Sequence, residues 1–176
     1  MNDNVPDAKT IWLFRETLMK TGVLDKLFVA LAEALQSSGL IMKSGKIMDA
    51  SIMEAPRQRN SRDENKEIKE GKTPPGWNEN KKRQKDIDAD WTRKNDKNFY
   101  GFKNHIVVDK KNKLISDFEV TTASVTDREI GLEFLEWIPE REAVYSDRGY
   151  SGKEMSEKIK DFGLKDRVMR KATRQR

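Results

Sequence analysis

Lys46-Ile-Met-Asp-Ala-Ser-Ile-Met53 and Ala143-Val-Tyr-Ser-Asp-Arg-Gly-Tyr150 decide how this chain is read. Each is a short apolar run that reads as a buried strand, and each delivers a carboxylate, Asp49 or Asp147, to its edge. A carboxylate held away from solvent needs a partner, because an unpaired buried charge is costly. Two such groups converging would repel each other unless a cation lay between them. Mg²⁺ (or Mn²⁺) suits that place: Mg²⁺ prefers oxygen ligands and is often held by one or two carboxylates, with phosphate oxygens and water completing its shell. The pair therefore points to phosphodiester chemistry.

Outward from these runs, the pattern gives an element order. Residues 8–38 have helical spacing, with Ile11, Phe14 and Leu18 in one stretch and Leu24, Leu27, Phe28, Leu31 and Leu35 in another. Thr21-Gly22 separates two helices, and the Leu stripe reads as a packing face. Residues 55–98 break the pattern with Pro56, Pro74, Pro75, Gly71, Gly76 and dense mixed charge, which predicts a long loop or partly ordered insertion. A hairpin follows. Phe99–Val108 alternates, with Tyr100, Phe102, Ile106 and Val108 on one face, Asp109 to Asn112 turns, and Leu114, Phe118 and Val120 lie on the return strand. Capping boxes at Thr126-Asp-Arg-Glu129 and Ser151-Gly-Lys-Glu154 open two more helices, on either side of the Asp147 strand. A last short strand covers 165–169. Three strands before a helix and alternation after it predict an α/β fold, a mixed sheet with flanking helices.

The chain has 176 residues, 35% hydrophobic and 37% charged, enough for one core under a very polar surface. The absence of cysteine excludes disulfides and thiolate metal sites. No 18-residue apolar run predicts a membrane span, and the polar N-terminus has no apolar signal segment, so the expected location is the cytoplasm. The net charge is +5 and is unevenly spread. The first 56 residues hold six basic and seven acidic groups, residues 57–97 thirteen and nine, and residues 165–176 six and one. The basic excess lies in the middle and at the end, as on a surface that meets polyanions. A solvated loop and a frayed tail would have the same composition.

Several short motifs now carry a resemblance. They are Pro6-Asp-Ala-Lys-Thr-Ile11 with Phe14-Arg15, and Asp49-Ala-Ser with Glu54-Ala-Pro-Arg-Gln-Arg-Asn60. Further along come Asp90-Trp-Thr-Arg-Lys94 with Tyr100-Gly-Phe-Lys-Asn-His105, Val120-Thr-Thr-Ala-Ser-Val-Thr-Asp127, and Tyr145-Ser-Asp-Arg-Gly-Tyr150. Together, in this order, they resemble the DDE transposases of bacterial insertion sequences, in the insertion-sequence-five group of the insertion-sequence-four superfamily. Gly149 is followed directly by Tyr150, so the second acidic motif departs from the family's Asp-x-Gly-x-x-Tyr spacing. The resemblance implies a ribonuclease H-like sheet whose first and fourth strands bring Asp49 and Asp147 together as catalytic, metal-binding residues. It also implies DNA cleavage and strand transfer with Mg²⁺ or Mn²⁺, acting on double-stranded transposon ends and target DNA, with self-association left open.

The third acid of that family, a Glu in a Tyr-x-x-Arg-x-x-x-Glu-like motif on a late helix, has no match among the residues after Asp147, where Glu154 and Glu157 come too early. The expectation is therefore a chain truncated before that helix and inactive alone. Residues 1–40 would be a helical remnant of a DNA-binding region, and 41–176 a partial catalytic domain with a polar insertion at 55–98. Expected DNA contacts are Arg57, Arg59 and Arg62 beside the first strand, Lys103, and Arg167, Arg170, Lys171, Arg174 and Arg176 in the tail. His105 reads as a half-exposed strand residue, Trp77 and Trp91 as loop anchors, and Arg148 as a salt-bridge rival for Asp147. Competing functions are a DNA-binding regulator or partner of an intact transposase, and another ribonuclease H-like nuclease such as a resolvase.

Overall fold

The structure, a computed structural model, describes residues 5–41, 44–55 and 58–170. The chain divides into two compact units, residues 1–42 and 43–176. The first holds helices α1 (Ala8–Lys20) and α2 (Val23–Ser37). Asp7 caps α1 by accepting the Thr10 N–H at 2.7 Å, and Gly22 makes the turn in the left-handed region at φ 63°. Within this unit neither helix has a buried residue, and Phe28 and Leu35 of the Leu stripe are half-buried.

The second unit is built on a six-stranded mixed sheet with helices packed against it. The strands are β1 (Lys46–Glu54), β2 (Asp90–Lys94), β3 (Lys97–Asp109), β4 (Ile115–Thr122), β5 (Ala143–Ser146) and β6 (Lys165–Val168). β1 is central. It pairs antiparallel with β3 on one edge and parallel with β5 on the other. β3 carries β2 and β4 on its far edge, both antiparallel, and β6 runs parallel beside β5. Helix α5 (Asp127–Phe134) follows β4, and α6 (Lys153–Asp161) makes the crossover from β5 to β6. This is the mixed sheet with flanking helices that the element order predicts.

One face of the sheet is the core. Met48, Val107 and Val144 pack with Ile130, Phe134, Tyr150, Met155 and Ile159 from α5, α6 and the turn before α6. The alternation read along the hairpin holds, and the helix-covered face of β3 toward its end is the one opposite Ile106 and Val108. The deeply buried positions of β3 toward its end are His105, Val107 and Asp109, while Ile106 and Val108 are only half-buried and Phe118 on β4 is exposed. Alternation identifies two faces but not which of them a helix covers. Gly101 marks the change along β3. A Cβ there would lie 2.1 Å from the Met53 carbonyl oxygen and 2.7 Å from the Ala55 nitrogen, at φ 156°, so only glycine lets the β1 backbone approach this closely.

Residues 55–98 are more ordered than a loop. They contain α3 (Arg62–Lys69), α4 (Glu79–Gln84) and β2. A full capping box joins Ser61 and Glu64 at the start of α3. β2 and β3 form a two-residue hairpin, with Asn95 and Asp96 at φ 51° and 62°, as a type I′ turn needs. A small second core of Ala55, Ala89 and Tyr100, with Trp91 and Phe102 against it, holds this segment to the sheet. Trp91 Nε1–H donates to the Asn60 carbonyl at 2.9 Å, and Trp77 Nε1–H to Glu64 at 2.7 Å, so both indoles act as anchors. The capping box read at Ser151 is not formed. Gly152 occupies the N-cap of α6, and the Ser151 hydroxyl donates instead to the Arg148 carbonyl at 2.8 Å. Among the described residues no helix is long and apolar enough to cross a membrane.

Candidate active site

Asp49 lies on β1, and Asp147 follows the last residue of β5 directly. The parallel pairing sets Lys46 opposite Val144, Ile47 opposite Tyr145 and Met48 opposite Ser146. The next position on each chain is Asp49 and Asp147. Met48 and Ser146 are buried on the helix-covered side, so the following residues turn outward, and both aspartates are exposed. The short strand β5 ends here because Asp147 takes a different task. Its Oδ1 accepts the Gly149 N–H at 2.8 Å and caps a 3₁₀ turn, Arg148–Tyr150. Asp49 Oδ1 accepts the Ala50 N–H, also at 2.8 Å. Neither carboxylate has an ion-pair partner among the described residues, and Arg148 is exposed without pairing to Asp147.

A third carboxylate approaches that sequence reading did not single out. Asp127 is the first residue of α5. A Cβ built on Gly149 would lie 2.9 Å from Asp147 Oδ1 and 3.7 Å from Asp127 Oδ2, so both acids lie close to Gly149 and a side chain there would crowd Asp147. The other oxygen of Asp127 accepts from Lys103 Nζ at 2.8 Å, and the same ammonium donates to the Val125 carbonyl at 2.7 Å. Lys103 is thus turned inward, tying β3 to the start of α5. Tyr150 lies under this group, 1% exposed, and its hydroxyl has no hydrogen-bond partner. Burial pushes that hydroxyl's pKa well up, and the Asp127, Asp49 and Asp147 carboxylates push it further. One signal could have located Asp127: it stands at the head of the Thr126 cap, where an acid also suits the helix dipole.

His105 is not half-exposed. It is fully buried, with Nε2 2.9 Å from the Thr121 hydroxyl, and burial lowers its pKa. Arg59 forms a 2.8 Å ion pair with Glu54 and lies over the Trp91 ring. Arg62 is exposed at the start of α3. Arg167 is exposed on β6 opposite Tyr145, and Arg170 pairs with Asp166 at 2.6 Å. Arg57, Lys171, Arg174 and Arg176 lie outside the described residues.

The donor set of Asp49 and Asp147 fits a hard divalent cation. Each is an accessible carboxylate with an oxygen left over, and such a cation takes its remaining ligands from phosphate and water. Among the described residues, no group of three or more acidic, histidine or cysteine side chains is arranged to hold a metal ion. Glu157 on α6 is engaged with Lys153 at 3.6 Å, and Glu154 is exposed on the same helix.

The family model described as Transposase DDE domain matches residues 42–176. The chain belongs to this family. It is a family of transposition enzymes. The transposase for insertion sequence element IS1106 of Neisseria meningitidis serogroup B is 30% identical over 169 residues. That match takes in 93% of this DDE-family chain and 55% of the relative, so the chain spans about half the length of that transposase. A solved synaptic complex of piggyBac transposase with hairpin DNA overlaps 74% of this chain and 24% of its own, at TM-score 0.36 and 11% identity.

Proposed function

We propose that this chain contributes the two-aspartate part of an insertion-sequence transposase, engaging double-stranded transposon ends and target DNA in a bacterial cytoplasm. The observation that carries the reading is the β1–β5 register, whose last pair, Met48 and Ser146, is followed on each chain by an aspartate, Asp49 or Asp147, without an ion-pair partner among the described residues. A divalent cation bound there would activate the attacking hydroxyl or water and stabilise the leaving oxygen of an in-line displacement. The chain's own residues keep the site in order. The Gly149 N–H fixes the Asp147 carboxylate, and Lys103 holds Asp127 at its side.

The described residues offer two free carboxylates where a two-ion displacement needs further ligands. The 176 residues alone are therefore read as binding DNA and a cation without cutting, which suits a regulator or partner of a longer transposase. Mn²⁺ binding followed by electron paramagnetic resonance tests the site, and Asp49→Asn or Asp147→Asn should each abolish it. Unchanged Mn²⁺ binding in both variants would remove the cation reading. Strand cleavage by the 176-residue chain, lost in Asp147→Asn, would mean that a further acid within it completes the site.

A further inference from the structure

The inserted segment holds a second feature with chemistry of its own. Arg62, Lys66 and Lys69 recur at i, i+4 and i+7 and so share one face of α3. That face lines a cleft of about 640 Å³, closed on the opposite side by Trp91 and Arg93 of β2, two residues apart on one strand face. Four cations line this cleft against two acids, Glu70 and Asp90. Both acids are already engaged, Glu70 by Lys72 at 2.7 Å and Asp90 by Lys69. Arg62 and Lys66 have no ion pair among the described residues.

Asn65 adds an independent sign. It lies between Arg62 and Lys66 in the wall of the cleft, 6% exposed. Its amide nitrogen donates to Asp90 Oδ1 at 2.8 Å and to the Ala89 carbonyl at 3.3 Å, which fixes the orientation of the amide. Its oxygen is left without a partner. Ser124 also forms part of the cleft wall, and the adjoining Val125 carbonyl accepts from the lysine that holds Asp127.

We infer that the α3–β2 cleft is a binding track for a DNA phosphodiester backbone, with Arg62 and Lys66 as its phosphate contacts. It would guide the strand whose phosphate reaches Asp49 and Asp147, so the inference rests on the DNA-processing function proposed above. The contacts position DNA without reading its sequence. Two phosphate contacts contribute about 1.8 to the slope of log affinity against log salt, or about twelvefold over a fourfold rise in salt.

The test is fluorescence anisotropy with a labelled duplex of arbitrary sequence across a salt series, using the 176-residue chain. Arg62→Ala/Lys66→Ala should lower the slope by about 1.8. Lys153→Ala/Lys160→Ala on α6 removes the same charge elsewhere and should leave the slope unchanged, with circular dichroism checking that each variant is folded. An equal loss in both double variants would reduce the effect to net charge and overturn the track. A wild-type slope in Arg62→Ala/Lys66→Ala would overturn the track alone. No binding of duplex by the wild-type chain would overturn both this inference and the DNA-processing function. Displacement of the duplex by polyglutamate as readily as by unlabelled duplex would assign the cleft to an acidic protein partner instead.

Discussion

Replacing Tyr150 by phenylalanine should stabilise the chain, although Tyr150 lies deep in the core. The ring is 1% exposed and packs against Gly131 and its neighbours, and phenylalanine keeps all of that apolar burial. What it removes is a hydroxyl that has lost its water and found no partner. Such a group costs about 1–3 kcal/mol in measured protein series. Two effects reduce the gain. The variant leaves a void the size of one oxygen, and the three nearby carboxylates favour a hydroxyl dipole whose hydrogen points at them. A net gain of about 1 kcal/mol remains, equivalent to a rise of roughly 4 °C in Tm for a unit of this size. Urea unfolding followed by circular dichroism measures it, provided the m-value is unchanged. A loss of about 1 kcal/mol or more in Tyr150→Phe would refute the reasoning, because the hydroxyl would then have a partner in solution.

Gly101→Ala should be among the most damaging single changes, at about 3 kcal/mol, since its methyl meets the Met53 and Ala55 backbone and not a flexible side chain. Hydrogen exchange at the Ala55 amide, which donates to the Tyr100 carbonyl at 2.9 Å, should speed up in that variant. The inserted segment should loosen in acid. Burial alone would raise the Asp90 pKa, but hydrogen bonds from Lys69, Ser124, the Trp91 N–H and Asn65 outweigh it and hold the carboxyl at about 2. Because the folded value lies below the unfolded value of 3.8, this stability is complete above pH 4 and fades as pH falls toward 2. It amounts to about 2 kcal/mol, and Asp90→Asn should flatten that part of the stability–pH curve. Lys103→Met should cost about 1–3 kcal/mol by unpairing Asp127 and the Val125 carbonyl, and Lys103→Arg should recover part of it in thermal unfolding.

The strands that carry the aspartates were legible because each holds a short apolar run, a pattern that burial enforces on an interior strand, although β1 runs on past Asp49 to Glu54 and only β5 stops at its acid. The helix at Thr126 was legible from its cap. The inserted segment was not, for a physical reason. α3 has one large apolar residue, Ile68, and is held by polar bonds: Glu64 to Trp77, Asn65 to Asp90, and the Ser61 cap. Hydrophobic periodicity cannot register a helix stabilised in that way, although Ser61-Arg-Asp-Glu64 spells a capping box. β2 was missed because five residues give little alternation, and its turn residues, Asn95 and Asp96, lie within a charge run. At the site, the sequence pattern put Asp49 and Asp147 on neighbouring strands, which the parallel pairing of β1 and β5 shows. It marked Asp127 only as the head of a cap, because its meeting with Gly149 depends on where the head of α5 lands beside the 3₁₀ turn.

The position of β1 sets the order of events on the ribosome. Its partners are residues 101–109 on one edge and 144–146 on the other. The strand bearing Asp49 therefore emerges first and is joined on both sides only after almost a hundred further residues have been made. At bacterial-type synthesis rates of about 5–20 residues per second, that wait is on the order of 5–20 s. The edge that meets β3 is open for about the first half of that wait and the edge that meets β5 for all of it, and an open apolar edge is prone to pairing with a neighbouring nascent chain. The charged segment at 58–94 is synthesised during this interval, and the bonds that hold its first helix, Glu64 to Trp77 and Asn65 to Asp90, lie within the segment itself. Its place directly after β1 keeps the next length of nascent chain from offering the open strand a competing apolar partner.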